Sequence, residues 1–497
     1  MSLAKKNKDI LLVGGILLAG VGLRLLGVLD PLVGIHDFRE TQTASGVWLY
    51  SKYGFHLFEY HVPMFGGKYW ILEFPLFQAI VYGLSRIFGM HEFLGRLVSV
   101  FSYAVSFLAL YSISMKTLKD RGQSFLAVFV YSVVPFSTYF NRAFIIDPFV
   151  LAVCLVLLAL CLDLRERYTA GKAALAGVLF LIAVLVKVTT VVSIVVPAGW
   201  LVISGLTHSP PEKRRARFAA VAGALGIAGL SYLAWQLYSF SMNAQSFMLS
   251  KADFKNWYFG IRLFDPSYYQ TLWMRAYHEF GFIGLFALFL GGYALWKEKS
   301  GSRTVLLLWA GSLLAYLVVF NNLNFIHIYY WLPLVPFFAL VAARGMAAVW
   351  RTFAGNRRAR IVLVGILVFF AGERVLLYWK SYLLYSPEYK QRMLSTAATI
   401  RENTGSDEKI ILAWPGADPN LPNFLYLSRR VGYNYDLNKL DGIGTVLAHD
   451  RTVGRIVAFP VRQENVDGIL EKLGSLNLRL GPNKLVNSML FIQVENP

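Results

Sequence analysis

The feature that most constrains this chain is a series of long apolar segments separated by short polar ones. A helix that crosses a bilayer needs about 20 largely apolar residues, and such segments recur over the first 381 of the 497 residues. Charged residues make up 15% of the sequence, whereas soluble domains carry roughly 25%. The sequence therefore predicts a polytopic α-helical membrane protein. We place eleven spans at residues 10–29, 93–115, 124–141, 147–163, 173–187, 188–206, 218–241, 279–296, 304–321, 328–350 and 361–381.

The basic residues indicate how these spans are oriented. The exits of the even-numbered spans read "MKTLKDRG", "LRERYTAGK", "THSPPEKRRAR", "KEKSGSR" and "RTFAGNRRARI". Because Lys and Arg are enriched in cytoplasmic loops, we expect a multi-pass inner-membrane protein with a cytoplasmic N-terminus. The first apolar segment follows "AKKNK" without a small-residue cleavage site, which favours a retained span. The net charge of +19 sits in these short clusters, so nucleic acid is not an expected partner.

Beyond residue 381 the long apolar runs stop and soluble patterning begins. "KIILAW", "GRIVAFP" and "SMLFIQVE" have the composition of strands, and a helical segment precedes them. We therefore expect two domains: a transmembrane module over 1–381, with outer loops at 30–92 and 242–278, and a small extracytoplasmic α/β domain over 382–497.

The segment "HDFRETQTAS" places several polar side chains directly after the first span. One interpretation is structural: Asp37 caps a helix and Glu40, three residues on, completes a capping box. The other is functional: a carboxylate at the outer surface takes a proton from a hydroxyl group. The two interpretations are compatible, because a reactive carboxylate needs a rigid helix start.

The turn "NRAFIIDPFVL" allows two interpretations as well. Asp147 and Pro148 suit the N-cap and first position of the fourth span, whereas Arg142 together with Asp147 suits an anion or metal site. Lys187, in "LVKVTT", is a lysine within an apolar stretch, which marks a functional candidate. The structural alternative for Lys187 is snorkelling to the interface.

Other candidates lie in aromatic or Pro-punctuated segments. In "FIHIYYWLPLVPFF", His327 suits a phosphate or hydroxyl contact, and Tyr329 and Tyr330 suit either the site or an aromatic belt. Glu73 precedes the apolar helix of "LEFPLFQAI". The loop at 242–278 offers stacking surfaces for a sugar or lipid head group, at Trp257, Tyr258, Asp265, Tyr268 and Tyr269.

The order of these motifs resembles that of the polyprenyl-phosphate-sugar-dependent glycosyltransferases of the GT-C superfamily. This superfamily includes protein O-mannosyltransferases and lipid A aminoarabinose transferases. The resemblance covers roughly residues 1–350 and rests on Asp37, the "R…DP" turn, "LVKVTT" and "HIYYWLPLVP". Two departures indicate a divergent bacterial branch. The mannosyltransferases have a paired Asp-Glu where this chain has Asp37 and Phe38, and "EFPL" replaces a "KPPL"-like motif, with Lys68 as a substitute cation.

The resemblance implies an inverting transfer of a sugar from a polyprenyl-phosphate donor to a lipid, glycan or protein hydroxyl. Asp37 would be the general base, with a raised pKa, and Lys187, Arg142 and His327 would neutralise the leaving phosphate. The implied fold is a GT-C-like bundle of about 11 transmembrane helices followed by the small α/β domain. We expect a monomer. Further implied contacts to the substrates are His36, Arg39, Gln42, Lys68, Tyr329 and Tyr330.

Two points stay open at the level of sequence. Some superfamily members use a divalent metal ion, which Asp37 and Asp147, supported by Glu73, would hold here. The alternative function is a secondary transporter or flippase for a lipid-linked or anionic substrate, which would also have many spans and an intramembrane lysine. Crowding of the candidate residues on the outer side favours the enzyme.

Overall fold

The computed structural model describes residues 3–244, 261–299, 301–440, 442–476 and 478–495. The described helices are α1 Leu3–Leu25, α2 Asp37–Tyr53, α3 Leu76–Phe88, α4 Glu92–Thr117, α5 Arg121–Val133, α6 Pro135–Phe140, α7 Asp147–Glu166, α8 Ala170–Val192, α9 Val195–Thr207, α10 Pro211–Ala244, α11 Pro266–Lys297, α12 Gly301–Val319, α13 Asn321–Ile326, α14 Val335–Thr352, α15 Arg357–Tyr378, α16 Pro387–Glu402, α17 Asn423–Ser428, α18 Gly442–His449 and α19 Val466–Gly474. The strands are β1 Lys409–Trp414, β2 Val431–Asp436, β3 Val453–Ala458, β4 Leu480–Val486 and β5 Met489–Val494.

The chain divides into two compact units. The helical unit consists of Met1–Leu29, Phe93–Leu237 and Leu249–Leu384. The sheet unit consists of Asp30–Glu92, Tyr238–Met248 and Tyr385–Pro497. The first predicted outer loop therefore shares a unit with the C-terminal segment, and the predicted domain boundary at residue 382 stays a prediction.

Helices of the described residues overlap all eleven predicted spans. Within the described residues, seven helical segments are long and apolar enough to cross a bilayer: Glu92–Thr117, Asp147–Glu166, Ala170–Val192, Pro211–Asn243, Pro266–Lys297, Ile328–Thr352 and Arg357–Glu402. Shorter apolar helices lie at Leu76–Phe88, Val195–Thr207 and Arg303–Val319. The count of eleven is thus not confirmed, because several predicted spans correspond to helices below the usual crossing length.

The structure departs from the predicted spans at two places. One predicted span is interrupted, and two adjacent predicted spans, 173–187 and 188–206, do not meet at the turn that their boundary implied. The segment 124–141 breaks between α5 and α6 at Pro135, which lacks the N–H needed to continue a helix. The turn predicted between 187 and 188 is instead a kink inside α8, where Lys187 has φ −162° and ψ 87°, and the helix ends only after Val192.

The sheet unit contains a five-stranded sheet in the order β2-β1-β3-β5-β4. Strands β2, β1 and β3 run parallel, and β5 pairs antiparallel with β3 and β4. Alternate residues of β1 enter two cores, with Ile411 and Ala413 on one face and Ile410 and Leu412 on the other. The predicted strands correspond to β1, β3 and β5. The strands β2, with the sequence VGYNYD, and β4, with the sequence LGPNKLV, were not predicted, because Gly, Asn and Pro are depleted in strands.

Part of the first loop completes this second core. Val62, Met64 and Trp70 are buried in the same cluster as Ile410 and Leu412. Backbone hydrogen bonds hold the loop against β2: the Gly66 N–H donates to the Gly432 carbonyl and the Gly432 N–H donates to the Pro63 carbonyl, each at 2.8 Å. Gly66 has φ +72°, and a Cβ there would collide with the Tyr433 hydroxyl, so this turn requires glycine.

The predicted outer loop at 242–278 is partly helical in the described residues. Helix α10 extends to Ala244, and α11 starts at Pro266, capped by the Asp265 carboxylate, which accepts the Ser267 N–H at 2.9 Å. Trp257 and Tyr258 lie outside the described residues.

Candidate active site

Asp37 is the first residue of α2, in the sheet unit. The position before it, the N-cap, is taken by His36, whose side chain makes no capping hydrogen bond. Asp37 therefore does not occupy the N-cap position that the structural interpretation gave it. A turn at residues 35–36 precedes the helix, and most residues from Asp37 to Val47 are buried.

The carboxylate of Asp37 is held by neutral hydrogen-bond donors. The Tyr389 hydroxyl donates to Oδ2 at 2.8 Å, and the Asn423 side chain and the Phe38 N–H also bind the carboxylate. Among the described residues Asp37 has no ion-pair partner. Its side chain is largely buried, with 9% of the residue exposed. The site is thus a largely buried carboxylate with which no cation of the described part of the chain forms an ion pair.

Burial raises the pKa of Asp37 above the ordinary value of an aspartate. The hydrogen bonds from Tyr389, Asn423 and Phe38 oppose this effect in part, because they favour the charged form. The nearby Glu40 carboxylate adds to the rise. The raised pKa agrees with the expectation for a general base.

Three further predicted residues form one network beside Asp37. Arg39 pairs with Glu73, and its other amino group donates to Gln42 Oε1 at 2.5 Å. The acidic residue that replaces the lysine of the "KPPL"-like motif is therefore balanced by an arginine of α2. This pairing fixes the side chain of Arg39 and lowers the net charge that it can offer to a phosphate.

His36 and Lys68 are the remaining two predicted substrate contacts of the loop. His36 packs edge-on against Phe38, with 6.5 Å between ring centroids. Lys68 lies in the turn that faces β2, where its carbonyl accepts the Val62 N–H at 3.1 Å. Their role as substrate contacts stays a prediction.

Lys187 forms a second polar centre, in the helical unit. Its Nζ lies 2.5 Å from Asp147 Oδ1, and the two residues are only 5% and 4% exposed. The ammonium also lies over the rings of Tyr329 and Tyr330, at 4.8 and 4.2 Å from their centroids. A lysine that snorkels would be exposed at its tip, so the snorkelling interpretation is wrong.

Asp147 and His327, which complete this centre, each lie at the end of a helix. Asp147 is the first residue of α7, and Ile146, rather than Asp147, takes the N-cap position. His327 ends α13, and its ring stacks on Tyr329 at 5.3 Å and on Tyr330 at 6.0 Å. Both tyrosines are buried, so they do not form an aromatic belt. The structure brings these five predicted residues into one cluster.

Arg142 is buried and binds the backbone just beyond α1. Its Nη1 donates to the Leu26 carbonyl at 2.8 Å, and its guanidinium lies 5.3 Å from the Tyr139 ring centroid. Arg96 donates to the Gly27 carbonyl at 3.0 Å in the same way. Arg142 therefore has a structural contact of its own, and its predicted role toward a phosphate stays a prediction.

Sequence reasoning missed Tyr389 and Asn423, which hold Asp37. Both lie in the C-terminal segment, on α16 and α17, and no motif marks them. It also missed Glu279, a buried carboxylate in the helical unit that accepts the Tyr382 hydroxyl at 2.6 Å and the Phe136 N–H at 2.7 Å. A carboxylate at the start of a predicted span was the available signal for Glu279.

The predicted metal site involves Asp37 and Asp147. Within the described ranges no group of three or more His, Cys, Asp or Glu side chains converges as metal ligands would. An ammonium already binds Oδ1 of Asp147. These donors do not fit a divalent ion at Asp147, and no step proposed below passes through a metal.

Comparisons with a protein-family model and with solved structures show which proteins this chain resembles. Residues 73–235 match the family model of dolichyl-phosphate-mannose-protein mannosyltransferases. The structure of ArnT from Cupriavidus metallidurans, bound to undecaprenyl phosphate, superposes with a TM-score of 0.60 at 12% identity and covers 97% of both chains. The chain therefore shares its fold with ArnT, and about a third of its length matches a mannosyltransferase family model.

Two other GT-C structures share the fold. Arabinofuranosyltransferase AftD from Mycobacteria matches with a TM-score of 0.59 at 14% identity, over 99% of this chain but only 42% of that longer one. The Archaeoglobus fulgidus oligosaccharyltransferase, in complex with Zn and sulfate, matches with a TM-score of 0.53 at 13% identity, over 90% of this chain and 67% of that one. No curated protein sequence matches significantly. The predicted fold class is confirmed apart from the number of spans, and the predicted enzyme class agrees with the matched mannosyltransferase family model.

Proposed function

We propose that the protein transfers a sugar from a polyprenyl-phosphate donor to an acceptor hydroxyl at the extracytoplasmic face of the inner membrane, with Asp37 as general base. The observation that carries this proposal is the buried Asp37 carboxylate, which only neutral donors hold. A base of this kind keeps its proton affinity because no cation stabilises its charged form.

The reaction is a single displacement at the anomeric carbon. Asp37 accepts the proton of the acceptor hydroxyl as that oxygen bonds to the anomeric carbon. The bond between that carbon and the phosphate oxygen breaks, and its electron pair stays on the polyprenyl phosphate. Attack opposite the leaving group inverts the configuration. Tyr389 and Asn423 keep the carboxylate in place, since both bind it.

We assign the donor phosphate to Lys187, Arg142 and His327. Asp147 holds the Lys187 ammonium against the two tyrosine rings and neutralises part of its charge. Arg142 is permanently charged and has no carboxylate partner among the described residues, so it supplies net positive charge for the leaving group. ArnT, which shares the fold, was crystallised with undecaprenyl phosphate, and this supports the same class of donor here.

The other assignments complete this proposal. His36, Arg39, Gln42, Lys68, Tyr329 and Tyr330 are candidate substrate contacts, and Glu73 supports Arg39. A cytoplasmic N-terminus and an extracytoplasmic C-terminal domain follow from the distribution of Lys and Arg. The acceptor is a lipid, glycan or protein hydroxyl, and the protein acts as a monomer.

Native mass spectrometry with undecaprenyl phosphate tests the donor assignment. The full chain, purified in mild detergent, should bind one molecule of the lipid. Lys187→Ala and Arg142→Ala should each reduce the bound fraction at least tenfold. Arg96→Ala is the matched control for Arg142→Ala, because Arg96 makes the same kind of backbone contact beyond α1. Equal loss in Arg96→Ala and Arg142→Ala would reduce Arg142 to a structural role, and no binding by wild type would overturn the donor class.

A further inference from the structure

The helical unit contains a basic cavity that the proposed transfer does not use. Its volume is about 420 Å³, within the range of small-molecule sites. The C-terminal ends of α4 and α7 supply Lys116 and Arg165, and Lys119 follows α4. Leu162 and Val305 form an apolar part of the wall. The cavity thus combines cations with an apolar edge at the ends of helices that can span the membrane.

The charges on this wall do not balance. Lys116 pairs with Asp163, but Asp163 also binds Lys172 at 2.8 Å, so one carboxylate serves two ammonium groups. Lys119 and Arg165 have no ion-pair partner among the described residues. Glu166 is a carboxylate on the wall itself. The excess of cations favours an anionic ligand.

The guanidinium of Arg165 is held in place before any ligand binds. Its Nε donates to Ser204 Oγ at 3.1 Å, and its plane lies over the Trp200 ring at 4.5 Å from the centroid. These contacts engage Nε and one face of the guanidinium. The two terminal amino groups are therefore the donors that a ligand would contact. An arginine fixed in this way suits the oxygens of a phosphate.

We propose that this cavity binds the phosphate of an anionic phospholipid head group. Basic pockets between transmembrane helices bind such head groups at the membrane surface. Lys119 and Arg165 contact the phosphate, and Leu162 and Val305 contact the adjoining glycerol and acyl carbons. Cations are common at the C-terminal ends of helices in general. That preference explains neither the cavity nor the fixed orientation of Arg165. The site is independent of the proposed transfer, since none of its residues has a role there.

Native mass spectrometry of the full chain with added lipid tests this site. Phosphatidylglycerol should stay bound at a collision energy that removes phosphatidylcholine. Lys119→Gln combined with Arg165→Gln should lower retention of phosphatidylglycerol about tenfold or more, because each cation near anionic lipid contributes about 1 kcal/mol. The matched control, Arg357→Gln with Arg358→Gln, removes the same charge from the exposed start of α15 and should retain the lipid.

A second variant tests the same site without the loss of a cation. Glu166→Gln removes the carboxylate of the wall and should increase retention of phosphatidylglycerol several-fold. Equal retention of the two lipids by wild type, or no change in both the double variant and Glu166→Gln, would overturn the proposal. Displacement of phosphatidylglycerol by equimolar inorganic phosphate would identify free phosphate as the occupant and overturn the lipid assignment.

Discussion

The two polar centres of this protein hold a buried carboxylate in opposite ways. In the helical unit Asp147 is paired with the Lys187 ammonium at 2.5 Å, and two tyrosine rings cover the cation. In the sheet unit Asp37 receives hydrogen bonds from Tyr389, Asn423 and a backbone N–H, and no cation of the described residues pairs with it.

The difference separates two chemical tasks. The ion pair of Lys187 and Asp147 places a cation at a fixed position beside two tyrosine rings. An uncompensated carboxylate under neutral donors has a raised pKa and accepts a proton readily. The comparison therefore supports the proposed division of roles, with electrostatic binding at the Lys187 centre and proton transfer at the Asp37 centre.

The largest expected effect comes from Asp37→Asn. The amide preserves the size and one acceptor oxygen of the side chain but cannot accept the proton, so transfer should fall by roughly 10²–10⁴-fold. The measurement is release of undecaprenyl phosphate from an undecaprenyl-phosphate sugar, with cell-envelope extract as acceptor. Binding of undecaprenyl phosphate should persist. Glu40→Gln is the control from the same helix turn and should retain transfer, whereas a near wild-type rate in Asp37→Asn would remove Asp37 from the mechanism.

Removing one partner of the Lys187–Asp147 ion pair should mainly affect the stability of the protein and the binding of the donor. Lys187→Met leaves the Asp147 charge buried without its ammonium, which should lower the free energy of unfolding by about 3–5 kcal/mol. Adding Asp147→Asn removes that charge and should recover most of the stability without recovering undecaprenyl-phosphate binding. Thermal unfolding in detergent and native mass spectrometry measure the two effects. Donor binding restored together with stability would show that Lys187 acts only through folding.

The Asp37 centre depends on the loop that completes the core of the sheet unit. Met64→Ala removes a fully buried side chain from the cluster around Ile410 and Leu412, so it should destabilise this unit by about 2–5 kcal/mol. Hydrogen exchange should report faster exchange in β1 and β2 and unchanged exchange in α7 and α14. Phe58→Ala, at an exposed position of the same loop, is the control. Uniform loss of protection in all these elements would contradict separate stabilisation of the two units.

The smallest effect is a shift of the pH profile. Transfer requires deprotonated Asp37, so the rate should decline as the pH falls through its raised pKa. The Tyr389 hydrogen bond lowers that pKa, and therefore Tyr389→Phe should move the acid limb of the profile to higher pH. The rate at the alkaline plateau should change little. An acid limb that stays in place, or moves to lower pH, would contradict the role of Tyr389.

Much of the helical unit was predictable because its helices depend on the composition of single, continuous segments. A run of apolar residues predicts a helix wherever the solvent is a bilayer, and a lysine within such a run marks a functional position whatever its partners. Asp147 and Lys187 were both identified in this way. The break at Pro135 was missed although a proline is readable in the sequence. The kink at Lys187 lies where the side chain binds Asp147, 40 residues away in the chain, and a contact of this kind leaves no local signal.

The sequence by itself determined the class of molecule, the membrane-embedded helices and the identity of the charged residues that stand out against an apolar background. Only the tertiary structure decided what those residues contact. Tyr389 reaches Asp37 across 352 residues of chain, and Met64 completes a core whose strands begin near residue 409. Such contacts depend on how separate segments pack, and packing leaves no periodic signal in either segment. The pKa of Asp37 is set by that packing, which buries the carboxylate and surrounds it with neutral donors.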